Sequence, residues 1–384
     1  MSEPTRVLLL SNSLTQTGAP KIALDVFRHL SDRTAIHTLA LDGGPRRAEF
    51  ERLGPLRLFS ELPDGGSSLA RLRRKQTRRA WSREVADWKP DLIYANTVAA
   101  LPLPKYFDLP AGVPVLLHVH EMETTLRHHV EMDRERFLSW PDHYLTVSEA
   151  ARASLRAAYP QIPGDKIGLI HEFVDARAFP DTARPPRHPD APFVVGAAGG
   201  PDWRKGTELF VHVARALKRR LDTRKQPVRF VWLGVSDTQG SRQLRLMVER
   251  VGLADAIDLL PSTPDARAVF ADFDVFAMTS WEDPCPLVVM ENMLLRTPVV
   301  CFAGGGGAPE QVGETGIVVP DFSPDAMADA LAYLAENPEK RRALGEAARA
   351  RVLAHFTTEV QVPKIAAEIA RLTRGGTAVQ QRGE

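Results

Sequence analysis

Short apolar runs alternate with helix-patterned stretches along almost the whole chain, and the alternation happens twice. In the first half the runs are Val7–Leu10, Ala35–Leu41, Leu92–Ala95, Val115–Val119, Tyr144–Val147 and Ile167–Ile170. Between them lie an amphipathic stretch, Ile22–Leu30, a long basic one, Leu69–Trp88, and a helical pattern running through Ala158. Successive strand residues face opposite ways, so a run that is apolar throughout reads as a strand covered on both faces. Strands alternating with helices predict a mostly parallel sheet, because parallel neighbours need a crossover long enough to hold a helix.

The segment Ala183–Pro192 then reads Ala-Arg-Pro-Pro-Arg-His-Pro-Asp-Ala-Pro, which excludes helix and marks a boundary. Beyond it the alternation resumes. Strands are expected at Phe193–Gly196, Val228–Leu233, Ile257–Leu260, Val275–Met278, Val299–Phe302 and Gly316–Val319. Helices are expected at Thr207–Leu221, Gln239–Val251, Pro286–Leu295 and from Pro324 onwards. The expected fold is α/β, two doubly wound Rossmann-like domains facing across a cleft, where the carboxyl edges of such sheets bind ligands. The expected division is residues 1–182, a Pro-rich linker 183–192, a second domain 193–355, a helix 356–373 packing back toward the first domain, and a disordered tail 374–384.

A chain of 384 residues can supply each domain with its own core. With 44% hydrophobic and 25% charged residues and a net charge of +1, it is not built around nucleic acid. The apolar run near the N-terminus is too short for a signal-peptide core or a membrane span, so the expected location is cytoplasmic, at most peripheral on the inner membrane face. Cys285 and Cys301 suggest neither a disulfide framework nor a metal cluster.

The most informative chemistry lies in Thr279–Met293, Thr-Ser-Trp-Glu-Asp-Pro-Cys-Pro-Leu-Val-Val-Met-Glu-Asn-Met. A strand ends, a carboxylate-rich turn follows, and a helix is expected to start at Pro286, a residue whose fixed φ and missing N–H suit a first helical position. The amides of Leu287 and Val288 would then face an anion. Glu291 falls on the same face one turn deeper, and its natural partner is a hydroxyl pair such as a ribose. Glu282 and Asp283, before the helix, suit a second set of hydroxyls. Phosphate flanked by hydroxyl-rich groups describes a nucleotide sugar.

Val195-Gly-Ala-Ala-Gly-Gly-Pro-Asp-Trp-Arg-Lys-Gly-Thr207 leaves another strand through a glycine-rich turn, bringing Arg204 and Lys205 to the same edge as cations for a diphosphate. Phe302-Ala-Gly-Gly-Gly-Gly-Ala-Pro-Glu310 adds a second flexible loop. Asp272-Phe-Asp274 precedes a buried strand and reads as structural, so no metal is expected. In the first half, Gly18 follows the first strand and is placed to lend an amide to a phosphate. His118 and His120 share a face at the end of a strand. Seven basic residues between Arg71 and Arg83 (Arg71, Arg73, Arg74, Lys75, Arg78, Arg79, Arg83), with no acid among them, suit an anionic membrane surface or a phosphate-bearing acceptor.

The spacing of Asp283 and Glu291 resembles the acidic Glu-x7-Glu signature of retaining glycosyltransferases of the GT-B fold, family 4, with Asp283 where that family usually has its first Glu. Lys205-Gly206 resembles its Lys-Gly signature, although the usual upstream arginine falls at Gly199 or Gly200. The loop before Pro309-Glu310, the Gly18 turn and His120-Glu121 resemble further family features. The resemblance runs from about Val7 to about Phe356. It implies transfer of a sugar from a nucleoside diphosphate donor to an acceptor hydroxyl with retention, without metal or other cofactor, as in polysaccharide, glycolipid or glycosylated-metabolite synthesis. It implies His120, Asp283 and Lys205 as catalytic, and Gly18, Arg204, Lys205, Glu282, Asp283, Pro286, Leu287, Val288 and Glu291 as donor-binding. Partners are then the nucleotide sugar and an acceptor sugar, lipid-linked glycan or small molecule. Alternatives are a retaining phosphorylase or disaccharide synthase, or a sugar-nucleotide-binding partner without catalysis. A dinucleotide oxidoreductase fits worse, since no Gly-x-Gly-x-x-Gly opens the first helix.

Overall fold

The period-two pattern of a doubly covered strand is explicit in the strand Val275–Met278: Val275 and Ala277 enter one buried cluster, while Phe276 and Met278 enter another on the opposite face. The same logic organises the whole molecule. In this computed structural model, residues 3–63, 66–131, 133–179, 181 and 191–380 are described, with side chains as far as 374. The chain forms two units, one of Met1–Glu172 with Thr358–Glu384, the other of Phe173–Thr357.

The first unit holds a seven-stranded parallel sheet of order β3-β2-β1-β4-β5-β6-β7. Its strands are β1 (Thr5–Ser11), β2 (Thr34–Ala40), β3 (Leu56–Leu58), β4 (Leu92–Asn96), β5 (Val115–Val119), β6 (His143–Thr146) and β7 (Ile167–Leu169). The sequence pattern misses β3, a three-residue edge strand with an arginine at its centre, too short to show a period. Leu8, Leu10, Leu117 and Phe137 are among its fully buried side chains, each worth about 1.5–3 kcal/mol relative to exposure.

The second unit holds a six-stranded parallel sheet of order β10-β9-β8-β11-β12-β13. Here the strands are β8 (Phe193–Ala198), β9 (Val228–Val235), β10 (Ile257–Pro261), β11 (Val275–Met278), β12 (Val299–Phe302) and β13 (Ile317–Val319). Asp274, just before β11, is buried and accepts the Val194 N–H at 2.9 Å, a structural role.

The second unit begins at Phe173, earlier than residue 183, because Phe173, Val174 and Phe179 are buried and the Val174 N–H bonds the Phe356 carbonyl at 3.0 Å. The expected linker falls outside the described residues except for Ala191 and Pro192. The C-terminal helix Thr358–Gln380 belongs to the first unit and touches the helix Gly18–His29 and β4. Its Glu368 carboxylate lies 3.0 Å from His143 of β6. The helix runs beyond Arg374, where a disordered tail was expected, because the i→i−4 backbone ladder carries through Gly375 and Gly376 at the cost of propensity alone. Residues 381–384 lie outside the described residues.

Candidate active site

Both sheets reverse their winding at one place. In the second unit this is between β8 and β11, and the loops that leave those two strands carry the residues singled out above. After β8, Asp202 caps a tight turn by accepting the Arg204 N–H at 2.8 Å, and Gly206, at φ 61°, turns the chain into the helix Thr207–Asp222. After β11, the amides of Trp281 and Glu282 both donate to the Arg204 carbonyl, at 2.7 and 3.3 Å, and the Thr279 hydroxyl donates to the Lys205 carbonyl at 3.2 Å. The loop after β12 closes the set: the Asp283 N–H bonds the Gly305 carbonyl, and its own carbonyl accepts from Gly307. Three loops are thus laced together by main-chain hydrogen bonds, which fixes the side chains they carry.

Those side chains are already paired. Lys205 Nζ lies 2.6 Å from Asp283 Oδ2, with the Asp283 side chain nearly buried. Arg204 lies 3.1 Å from Asp202. The sequence reading assigned Lys205 to phosphate and Asp283 to sugar hydroxyls as separate roles. The structure joins them in one ion pair.

Pro286 is the N-cap residue, with ψ 112°, and the helix runs Leu287–Leu294, so Pro286 precedes the first helical position instead of filling it. Its carbonyl accepts the Val289 N–H at 3.1 Å. Among the described residues the amides of Leu287 and Val288 take no hydrogen bond, as helix geometry requires of a first turn without a side-chain cap. Glu291 is half-buried one turn along. Cys285 is a buried thiol whose sulfur accepts from Gln311 Nε2 at 3.2 Å, while burial pushes the Cys301 thiol on β12 up to about 12.

In the first unit the reversal lies between β1 and β4. Gly18 is the first residue of the helix Gly18–His29, whose N-cap Thr17 makes no side-chain cap; Pro20 has no N–H and Lys21 bonds the Thr17 carbonyl, which leaves the Gly18 and Ala19 amides uncapped. His120 follows β5. Its Nδ1 lies 2.6 Å from Glu172 Oε1 and its Nε2 lies 3.0 Å from Asn96 Oδ1, while Asn96 Nδ2 donates to the Ala19 carbonyl at 3.0 Å. A chain of side chains therefore ties His120 to the Gly18 turn. His118, fully buried, meets the Tyr94 hydroxyl at 2.6 Å, and its Nε2 has no partner among the described residues. Burial, reinforced by the neighbouring His120, pushes the His118 ring well below its ordinary range. Glu121 accepts the His120 N–H at 2.8 Å and a bond from Thr97; burial pushes its carboxyl up, against these bonds and the His120 charge. Thr97, a non-glycine at φ 84°, stores strain of about 1–3 kcal/mol beside this cluster.

Sequence reasoning missed Asn96, Glu172 and Asp202. Asn96 had a signal, a polar residue closing an apolar run. Glu172 had none, because it meets His120 only through the fold.

A cavity of about 430 Å³ opens where β2 and β3 end, lined in part by Asp42, Phe59, Ser60, Arg74 and Tyr106. The Phe59 and Tyr106 rings lie tilted against each other with centroids 4.1 Å apart, and the Arg74 guanidinium sits 4.6 Å over the Phe59 ring.

Two doubly wound parallel-sheet units, with a glycine-rich loop leaving β8 at the switch point of the second, match the GT-B class of α/β fold. The solved structure of Anabaena Alr3699/HepE in complex with UDP and glucose superimposes with a TM-score of 0.76 at 19% identity, covering 95% of this chain and 99% of that one. The chain belongs to glycosyltransferase family 4: residues 17–178 match the model described as Glycosyltransferase Family 4, and residues 179–351 match Glycosyl transferases group 1. A D-inositol 3-phosphate glycosyltransferase of Kineococcus radiotolerans is 34% identical over 163 residues, 38% of this chain, and the match spans only 37% of that relative's length. An alpha-D-kanosaminyltransferase of Streptomyces kanamyceticus is 23% identical over 366 residues, 89% of this chain and 88% of that protein.

Proposed function

We propose that this protein moves a sugar from a nucleoside diphosphate sugar to an acceptor hydroxyl with the anomeric configuration retained. The observation that carries the reading is the Lys205–Asp283 ion pair at the switch point of the second sheet, beside the open amides of Leu287 and Val288. The bond from the anomeric carbon to the diphosphate oxygen breaks and charge develops on that oxygen. Lys205, Arg204 and the helix amides supply the compensating positive field, so no metal or other cofactor is required. As the diphosphate takes Lys205, Asp283 and Glu282 turn to sugar hydroxyls, Pro286 setting the entry to the helix, and Glu291 takes the ribose. We assign Gly18 to the diphosphate and His120 to the sugar. The departing phosphate oxygen accepts the acceptor's proton, and the acceptor oxygen bonds to the face just vacated.

The acceptor, we propose, is a small hydroxyl-rich molecule or glycan carrying an anionic group. Arg74 supplies a cation, and Asp42 and Ser60 supply hydroxyl partners, in the cavity of the first unit. The name of one relative, D-inositol 3-phosphate glycosyltransferase, supports that class. A role in cell-surface polysaccharide, glycolipid or glycosylated-metabolite synthesis in the cytoplasm is consistent with it. The test is transfer by the purified protein from a panel of UDP, GDP and dTDP sugars, with and without chelator. A requirement for inorganic phosphate would instead indicate a phosphorylase.

Glu291→Ala is expected to raise KM for the donor by roughly 10- to 100-fold, the cost of losing a charged hydrogen bond of about 1.5–3 kcal/mol, with a smaller effect on kcat. Steady-state kinetics with varied donor checks this, and an unchanged KM removes Glu291 from the ribose.

The helix Ser68–Trp88 exposes Leu69 and Leu72 beside Arg73, Lys75, Arg79 and Arg83, which take no ion-pair partner among the described residues. No helix among the described residues is long and apolar enough to cross a membrane. We propose weak peripheral binding to anionic lipid through this face. Pelleting with anionic vesicles that disappears at high salt is expected, and equal pelleting with neutral vesicles rules it out.

A further inference from the structure

We propose that Glu172 is a positioning residue which, together with Asn96, holds the His120 ring as a hydrogen-bond donor at both nitrogens. A fixed positive charge then stands at the carboxyl edge of the first sheet. The argument starts at Ala19. Its carbonyl can only accept, so the Asn96 group 3.0 Å away must be the NH2. The amide oxygen is thereby aimed at His120 Nε2, also at 3.0 Å, and an oxygen there requires a proton on Nε2. Turning the amide over would set two acceptors against each other at Ala19.

The other nitrogen, Nδ1, lies 2.6 Å from Glu172 Oε1. One proton lies between a carboxylate and an imidazole. An ionised carboxylate can only accept, so with Glu172 in that form the proton is carried on Nδ1. Two donated N–H bonds make an imidazolium, balanced by the Glu172 carboxylate, which stands at the short limit of charge-assisted bonds. The charged and titratable groups facing the ring are Glu172, Glu121 through the His120 main-chain amide, and His118, whose ring centre is 4.1 Å away, with Tyr94 behind His118. His118 stays neutral beside it, in keeping with its burial. Glu172 is also the last residue before the chain leaves the first unit, so the pair anchors that end of the unit.

The consequence for turnover rests on the glycosyltransferase reading above, in which His120 meets the donor sugar: with both ring nitrogens committed to Glu172 and Asn96, the ring acts there through its charge and not through a hydrogen bond of its own. Nitrogen-15 histidine NMR of the full-length protein, with His120→Gln used only to assign the signal, is expected to show both His120 ring nitrogens protonated at pH 7.5. Glu172→Gln should leave one protonated. In transfer assays the alkaline limb of the pH–rate profile for Glu172→Gln should move to lower pH by about one unit or more, and Glu172→Asp should restore most of it. A singly protonated wild-type ring overturns the proposal even if Glu172→Gln does not fold. Coincident pH profiles overturn the role in turnover. If the wild-type protein transfers from no donor, the glycosyltransferase reading fails while the NMR result still decides the ring.

Discussion

Lys205→Ala is expected to lower kcat/KM for sugar transfer by about 10²- to 10³-fold, the usual loss when one preorganised donor to a developing oxyanion is removed. Most of the loss should fall on kcat, because the charge that Lys205 meets grows as the glycosidic bond breaks. The ion pair complicates the experiment. Truncating Lys205 leaves Asp283, 7% exposed, without its 2.6 Å partner, and stability should drop by about 1–3 kcal/mol. The double variant Lys205→Ala, Asp283→Asn separates the two effects, since removing the orphaned charge should recover most of the stability and none of the activity. Full activity in Lys205→Ala would refute the assignment of the phosphate site.

Gly206→Ala should be the most damaging single methyl group in the second unit. A Cβ there would stand 2.0 Å from the Thr279 carbonyl oxygen and 2.9 Å from its carbon, on a backbone at φ 61°. Left-handed strain alone costs about 1–2 kcal/mol. The clash is with main chain and cannot be relieved by a rotamer change, so a total of about 3 kcal/mol and a fall in Tm of roughly 6–12 °C are expected. Because Gly206 adjoins Lys205, and Thr279 bonds the Lys205 carbonyl, transfer should fall as well. Gly252→Ala is the control: φ is 72°, but nothing lies within 4 Å of the added carbon, so only the strain is felt. Equal melting of the two variants would show that the contact with Thr279 is soft.

The parallel sheets were legible because buried strands carry runs that are apolar on both faces, as at Val275–Met278 and Val7–Leu10, and turns rich in Gly and Pro punctuate them. The short edge strand Leu56–Leu58 was not, because three residues with a central Arg carry no period. The loops at the switch points were legible from their glycines and charges. The partners of those charges were not. Whether Lys205 would face solvent or Asp283 depends on main-chain bonds to the Arg204 and Gly305 carbonyls that no local pattern encodes. Pro286 illustrates the finer limit, since proline is equally at home as the last residue before a helix and as the first within it.

The first unit is discontinuous, its last helix, Thr358–Gln380, following the entire second unit along the chain. During synthesis the residues through Glu172 emerge first, yet the helix that covers β4 and the helix Gly18–His29, with Glu368 beside His143, is made only after Thr357. The second unit is continuous and has all of its strands once Val319 has left the ribosome. The half of the molecule translated first is therefore the half completed last, and until then its nascent sheet has apolar surface uncovered for a chaperone to hold.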